Sequence, residues 1–172
     1  MRNLLRCLIA WLALAPWGAV NAANFMLAPP SSEVRFRAYG LGFVPIDGQF
    51  TRFTGTLALE PDDPFACRVA VVADATSLRM PDSIMTDDAL GPDFLDAKAY
   101  PRFEYDGQCI GSTLQGALLL HGTRLPLTLN VTRRAGSWVA EGTMRRAEWG
   151  MGARPRLAGQ DVQIRFAITL PK

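Results

Sequence analysis

Val162 to Leu170 reads V-Q-I-R-F-A-I-T-L, and the parity of those nine residues sets the fold class. Val162, Ile164, Phe166, Ile168 and Leu170 point one way, Gln163, Arg165 and Thr169 the other. Alternation with period 2 is the mark of a strand with one apolar face. The pattern recurs toward the N-terminus. Leu125, Leu127, Leu129 and Val131 alternate with Pro126, Thr128, Asn130 and Thr132. Phe103 and Tyr105 flank Glu104, Val69, Val71 and Ala73 run toward Ser77-Leu78, Leu57 and Leu59 alternate with Thr56, Ala58 and Glu60, and Val34 and Phe36 with Arg35 and Arg37. With Leu114–His121 and Trp138–Arg146 this makes about eight strands.

Turn signals separate them: Pro61-Asp62-Asp63-Pro64, Asp106-Gly107, His121-Gly122, Ala135-Gly136 and Ala158-Gly159. Only residues 81–99 leave room for a helix. The expected fold is all-β, an eight-stranded antiparallel barrel with one short helical or loop cap. Eight closed strands leave an interior for packed side chains or one slender ligand. A barrel embedded in an outer membrane needs an apolar outer band. The outward positions here carry Arg, Gln, Glu and Thr instead.

The chain has 172 residues. Its start reads as a leader: Arg2 and Arg6 precede an apolar run from Leu8 to Leu14, and Val20-Asn21-Ala22 offers small residues for cleavage after Ala22. That run is too short for a membrane span of about 20 residues. Cys7 lacks the small-residue context of a lipoprotein. The expectation is an exported protein whose domain occupies residues 23–172. All 16 acidic residues lie beyond Ala22, while two of the 18 basic ones leave with the leader, so the mature domain is neutral. Nucleic acid is therefore not an expected partner. Cys67 opens one strand and Cys109 closes the next long one; in an oxidising compartment they form a disulfide or stay separate buried thiols.

Catalytic chemistry has few carriers. His121 is the single histidine, which rules out a two-histidine metal site; it is either a polar group at a pocket mouth or a plain turn residue. Asp87-Asp88 reads as a solvated acidic loop sooner than a carboxylate dyad. No metal, cofactor or catalytic residue is expected. Apolar bulk, by contrast, gathers at loops and strand ends. Phe43, Phe50 and Phe53 cluster in G-L-G-F-V-P-I-D-G-Q-F-T-R-F-T-G; Met80, Ile84, Met85, Leu90, Phe94 and Leu95 crowd residues 81–99 and their border. Trp149 and Met151 end the seventh strand. Methionine and aromatic side chains suit an adaptable apolar pocket as well as a core.

Ordered blocks of sequence resemble the YceI family of polyisoprenoid-binding-like domains. S-S-E-V-R-F followed by L-G-F-V-P-I-D-G-Q-F-T-R-F-T-G-T-L is similar to its opening hairpin, and D-A-T-S-L to its third strand. P-D-F-L-D-A-K-A-Y-P-R-F-E-Y, L-L-L-H-G-T-R-L-P-L-T-L and M-R-R-A-E-W-G-M resemble its later blocks. The resemblance runs from Ser31 to Leu170. It implies a lipocalin-like barrel in the periplasm that binds a long isoprenoid or related lipid in its bore. Inward parity and apolar bulk name the expected lining: Phe36, Phe43, Phe50, Phe53, Leu57, Val71, Met85, Leu90, Phe94, Leu127, Trp149, Met151, Ile164 and Phe166. His121, Arg146 and Glu148 are the implied polar groups at its mouth. The reading leaves room for transient membrane contact and for a homodimer. Its alternatives are a protein-binding accessory of a quinone-linked complex with a filled barrel, and an enzyme acting on a lipid head group through Asp87, Asp88 or His121.

The departures concern the mouth. Gly40 stands where the family often has histidine, and Met85-Thr86-Asp87-Asp88-Ala89 replaces R-D-x-H-L. A neutral head group suits such a mouth better than a pyrophosphate, which wants arginine or backbone donors.

Overall fold

The alternation over 162–168 is strand β11 (Asp161–Thr169), and the interior follows from which of its neighbours share that parity. The computed structural model of the protein describes residues 23–60 and 63–169. The leader expected over residues 1–22 and the terminal Leu170 lie outside them. The other segments are β1 (Ala23–Leu27), β2 (Ser32–Gly40), β3 (Val44–Phe50), β4 (Phe53–Glu60), β5 (Asp63–Asp74), β6 (Leu78–Arg79), α1 (Ser83–Leu90), β7 (Arg102–Ile110), β8 (Thr113–Leu120), β9 (Thr123–Arg134) and β10 (Ser137–Arg145).

Among the described residues eleven strand segments appear where about eight strands were expected, joined in the order β1-β4-β5-β7-β8-β9-β10-β11-β2-β3-β6. The register reconciles the two counts. Leu27 faces Gly55, and a few residues on Val34 faces Phe50. So β1 and β2 form one long strand against β3 and β4, broken by a turn at 28–31. Likewise Phe53 faces Ala73 and Phe50 faces Leu78, making β5 and β6 one strand interrupted by a 3₁₀ turn at Ala75–Ser77. Three interrupted strands and five continuous ones give an antiparallel barrel of eight. Closure comes where β11 pairs with β2, Ile164 facing Phe36 and Phe166 facing Val34. Alternation alone missed β1 and β3, because β3 carries Pro45, Asp47 and Gly48 and its parity is faint.

The kink between β3 and β4 is fastened by D-A-T-S-L. Thr51 donates its N–H to the Ser77 carbonyl, and Asp74 donates to that of Arg52. The Arg52 guanidinium binds the Asp74 carboxylate at 2.8 Å. Hydrogen bonds from Thr76 and from Arg52 hold that carboxyl below its usual range. Ser77 is fully buried; its hydroxyl donates to the Asp74 carbonyl at 2.7 Å and accepts from the Arg52 N–H at 3.0 Å. Alanine at Ser77 would leave that N–H without its partner. We expect Ser77→Ala to lower stability by about 1–2 kcal/mol, read as a fall in the urea midpoint at constant slope.

Asp106-Gly107, expected to be a turn, lies inside β7. Gly107 faces Gly116 across the sheet, and the Tyr105 hydroxyl fills the space beside them. That hydroxyl reaches the carbonyls of Leu114 and Leu127 at 3.2 and 3.0 Å. The turn instead falls at Gly111, with φ 59°. Leu41-Gly42 and His121-Gly122 carry paired positive φ values, the primed turns whose twist matches the flanking strands.

Candidate functional site: an apolar cavity under a clamped lid

Side chains of the inward parity do not leave one open bore. Tyr105 is buried, and its ring lies 5.7 Å from that of Phe166. Among the described residues the interior holds two spaces whose walls share Val34 and Phe166. The far space measures about 30 Å³ and is bounded by Phe53, Leu57, Val71, Leu114 and the Cys67–Cys109 disulfide. It is too small for a chain. The near space measures about 320 Å³, at the lower end of the range for small-molecule pockets. The continuous bore is thus corrected to a pocket with a floor.

One wall of the near cavity is aromatic. Phe36 lies 6.0 Å from Phe50, and Phe50 meets Phe103 edge-on at 4.6 Å. Gly48 makes this ladder fit, since a Cβ there would fall 2.3 Å from the Phe36 ring. Ile164, Val162, Met144, Leu118 and Leu120 form the rest of the strand wall.

The roof comes from the segment that is not strand. Asp82 caps α1 by accepting the Met85 N–H at 3.0 Å, the usual remedy for an unpaired first turn. No residue of α1 is buried, so the helix covers the barrel rather than filling it. Met85, Asp88 and Ala89 from α1, and Phe94 and Leu95 behind it, border the cavity. Phe94 lies between two guanidiniums, Arg146 at 5.1 Å and Arg154 at 5.6 Å from its ring centre. Arg154 also binds Asp88 at 2.9 Å and Asp93 at 2.6 Å, and those carboxylates hold it further toward its charged form.

Arg146 is the buried cation of the cavity wall. Its Nε donates to the Gly159 carbonyl at 2.9 Å, and Nη2 to those of Ala153 and Ala158 at 2.7 and 2.8 Å. Nη1 donates to the Met151 carbonyl. Desolvation pushes its pKa below the usual arginine value. The planar fork is suited to this task, gathering four carbonyls of one loop.

Of the sequence-predicted lining, Phe36, Phe50, Met85, Phe94, Met151, Ile164 and Phe166 border the near cavity. Phe53, Leu57 and Val71 face inward but below the floor. Phe43 is 75% exposed at the tip of the β2–β3 turn, because that turn projects beyond the barrel rim. Leu90 packs on the core at the end of α1. Leu127 and Trp149 are buried outside both cavity walls, the indole N–H donating to the Leu118 carbonyl at 3.1 Å. Arg146 does border the cavity. His121 and Glu148 do not: Glu148 is exposed on a 3₁₀ turn, and His121 sits at φ 49° in its hairpin with its ring 4.5 Å from Tyr100. Sequence reading passed over Phe103, Leu118 and Val162, whose parity marked them as inward. It passed over Arg154 too, which carries no pattern at all.

Residues 25–170 match the model of the YceI-like domain. The chain belongs to the YceI family. Protein YceI of Escherichia coli O17:K52:H18 is 26% identical over 171 residues, covering 88% of each chain. A UPF0312 protein of Vibrio campbellii is 27% identical over 122 residues, which span 66% of this chain and 64% of that protein. Among solved structures, Burkholderia cenocepacia BcnA superposes with a TM-score of 0.70 at 21% identity, covering 81% of this chain and 96% of that one. A polyisoprenoid binding domain from Saccharophagus degradans gives a TM-score of 0.61 at 14% identity, over 88% and 100%. These likenesses establish the fold. Within this YceI chain the recognisable blocks are fastenings: D-A-T-S-L ties the kink, H-G-T makes a hairpin, and the arginine of R-A-E-W-G-M gathers a loop.

Proposed function

We propose that the protein is an exported carrier that shields the apolar portion of an isoprenoid-like or similar lipid within the near cavity. The observation that carries this reading is the cavity itself, about 320 Å³ walled almost wholly by apolar side chains at one end of the barrel. Binding would come from burial, about 0.8 kcal/mol for each methylene removed from water. The Saccharophagus degradans neighbour, described as a polyisoprenoid binding domain, supports the ligand class. The Cys67–Cys109 disulfide and the leader-like first residues support export to the periplasm. The floor at Val34 and Phe166 limits how much of a long chain is enclosed, so a chain longer than the cavity protrudes at the mouth. This reading assigns the protein no catalytic step.

The test is native mass spectrometry on gently purified protein, beside an Ala38→Trp variant. Ala38 borders the cavity on β2, and an indole placed there takes up ligand space. Wild-type protein is expected to carry a lipid adduct and the variant to lose most of it. An adduct of equal occupancy in both, or none in the wild type after exposure to extracted membrane lipids, overturns the reading.

A further inference from the structure

The largest exposed apolar side chains near the cavity gather around its mouth. Phe43 is 75% exposed and Ile84 78%, with Leu41, Met85 and Leu157 also open to solvent. They come from three separate segments. The Leu41 N–H donates to the Leu157 carbonyl at 2.9 Å, which places the β2–β3 turn beside the loop before β11. The two ion pairs of Arg154 attach that loop to α1 and the residues behind it. Met85 and Leu157 are exposed and also belong to the cavity wall. The rim is therefore continuous with the cavity through Met85 and Leu157.

The fold does not ask for these residues. Leu41 has φ 52°, a left-handed conformation that asparagine or glycine adopts at less cost and with better solvation. A projecting turn normally carries polar residues. Apolar side chains held out at a cavity mouth need an apolar phase to cover them.

We propose that this rim docks the barrel mouth on a lipid bilayer, with Leu41, Phe43, Ile84, Met85 and Leu157 inserted at the interface. The inference rests on the carrier reading and names the partner of that site. A protein seated flat on the rim would stopper the opening, whereas a bilayer is the phase in which a water-insoluble ligand resides. Docking mouth-down lets a chain pass into the cavity without crossing water. The charges define the kind of docking. Arg154, the loop cation that borders the cavity, is already paired with the carboxylates of Asp88 and Asp93. That cation is spent on protein carboxylates and not held out for an anionic head group, so attachment is by insertion of the apolar rim and is insensitive to salt.

Co-sedimentation with phosphatidylcholine vesicles at low and high salt tests this. Wild-type protein is expected to partition onto neutral vesicles with less than about twofold change between salts. Phe43→Ser with Leu157→Ser should lower partition about tenfold or more. Phe43→Ser alone is the mildest version, and its thermal midpoint checks folding. Phe65→Ser, an exposed apolar residue at the opposite end, should change nothing. Three results overturn the proposal: no partition of wild type, equal loss in Phe65→Ser, or binding confined to anionic vesicles at low salt. A wild-type dimer that Phe43→Ser converts to monomer would also overturn it. Native mass spectra separate the two readings. Lipid carried without vesicle binding removes docking and leaves the carrier; vesicle binding with a permanently empty cavity removes the carrier.

Discussion

Replacing Cys67 and Cys109 together with alanine is expected to cost about 4 kcal/mol of stability, the loop-closure value for a separation of 42 residues. The two cysteines lie opposite each other on β5 and β7, with Cα atoms 4.8 Å apart, and both are buried. For a domain of this size the loss corresponds to a fall of about 10 °C in Tm. Dithiothreitol should produce the same fall in the wild type and none in the variant. The disulfide borders the far space, on the other side of the shared Val34 and Phe166 from the larger cavity. Lipid occupancy at a temperature where both proteins are folded should therefore be unchanged. A variant that loses its ligand while folded would show that the floor does not separate the two halves.

The division of the barrel explains what the sequence could and could not reveal. Parity is a local property, so it identified inward residues correctly along β11, β2 and β7. It says nothing of height along the barrel axis. Leu57 and Val71 have the same inward parity as Phe36 and Ile164, yet they fill a packed end while the latter wall a cavity. Height is set by long-range register, and no window of sequence contains it. Tyr105 packs against Phe166, one of the two residues the spaces share, and its room comes from Gly107 and Gly116 on adjacent strands. That pair resembled a turn signal in one case and an ordinary strand glycine in the other. The expectation of a neutral head group came from missing arginine and histidine before P-D-F. The structure supplies cations from elsewhere, Arg146 and Arg154, but engages one with carbonyls and the other with carboxylates.

The lid fares differently. Residues 81–99 were legible as a cap because that stretch alone broke the strand pattern and gathered apolar bulk, and its Phe94 and Leu95 both border the cavity. What holds them there was not legible, since the clamp is made by arginines 52 and 60 residues further along. A charged residue late in a chain gives no sign of the ring it will meet.

That clamp carries the second large effect. Arg146→Met should destabilise the protein by roughly 3 kcal/mol, because it leaves the carbonyls of Met151, Ala153, Ala158 and Gly159 without their shared donor. Part of that loss is recovered as the loop moves toward water, so the consequence is local. Hydrogen exchange should quicken over residues 150–159 and stay slow in β4 and β5. Phe94 would lose the guanidinium 5.1 Å from its ring, and Leu157 and Gly159 would leave the cavity wall they now form. Ligand occupancy should therefore drop much further than the melting temperature does. Arg146→Lys decides the cause. An ammonium keeps the charge but cannot present five donors in one plane, so lysine should rescue little of the loss. Full rescue by lysine would mean that the cavity needs a positive charge at that point and not a staple, and the lid would then be held by electrostatics alone.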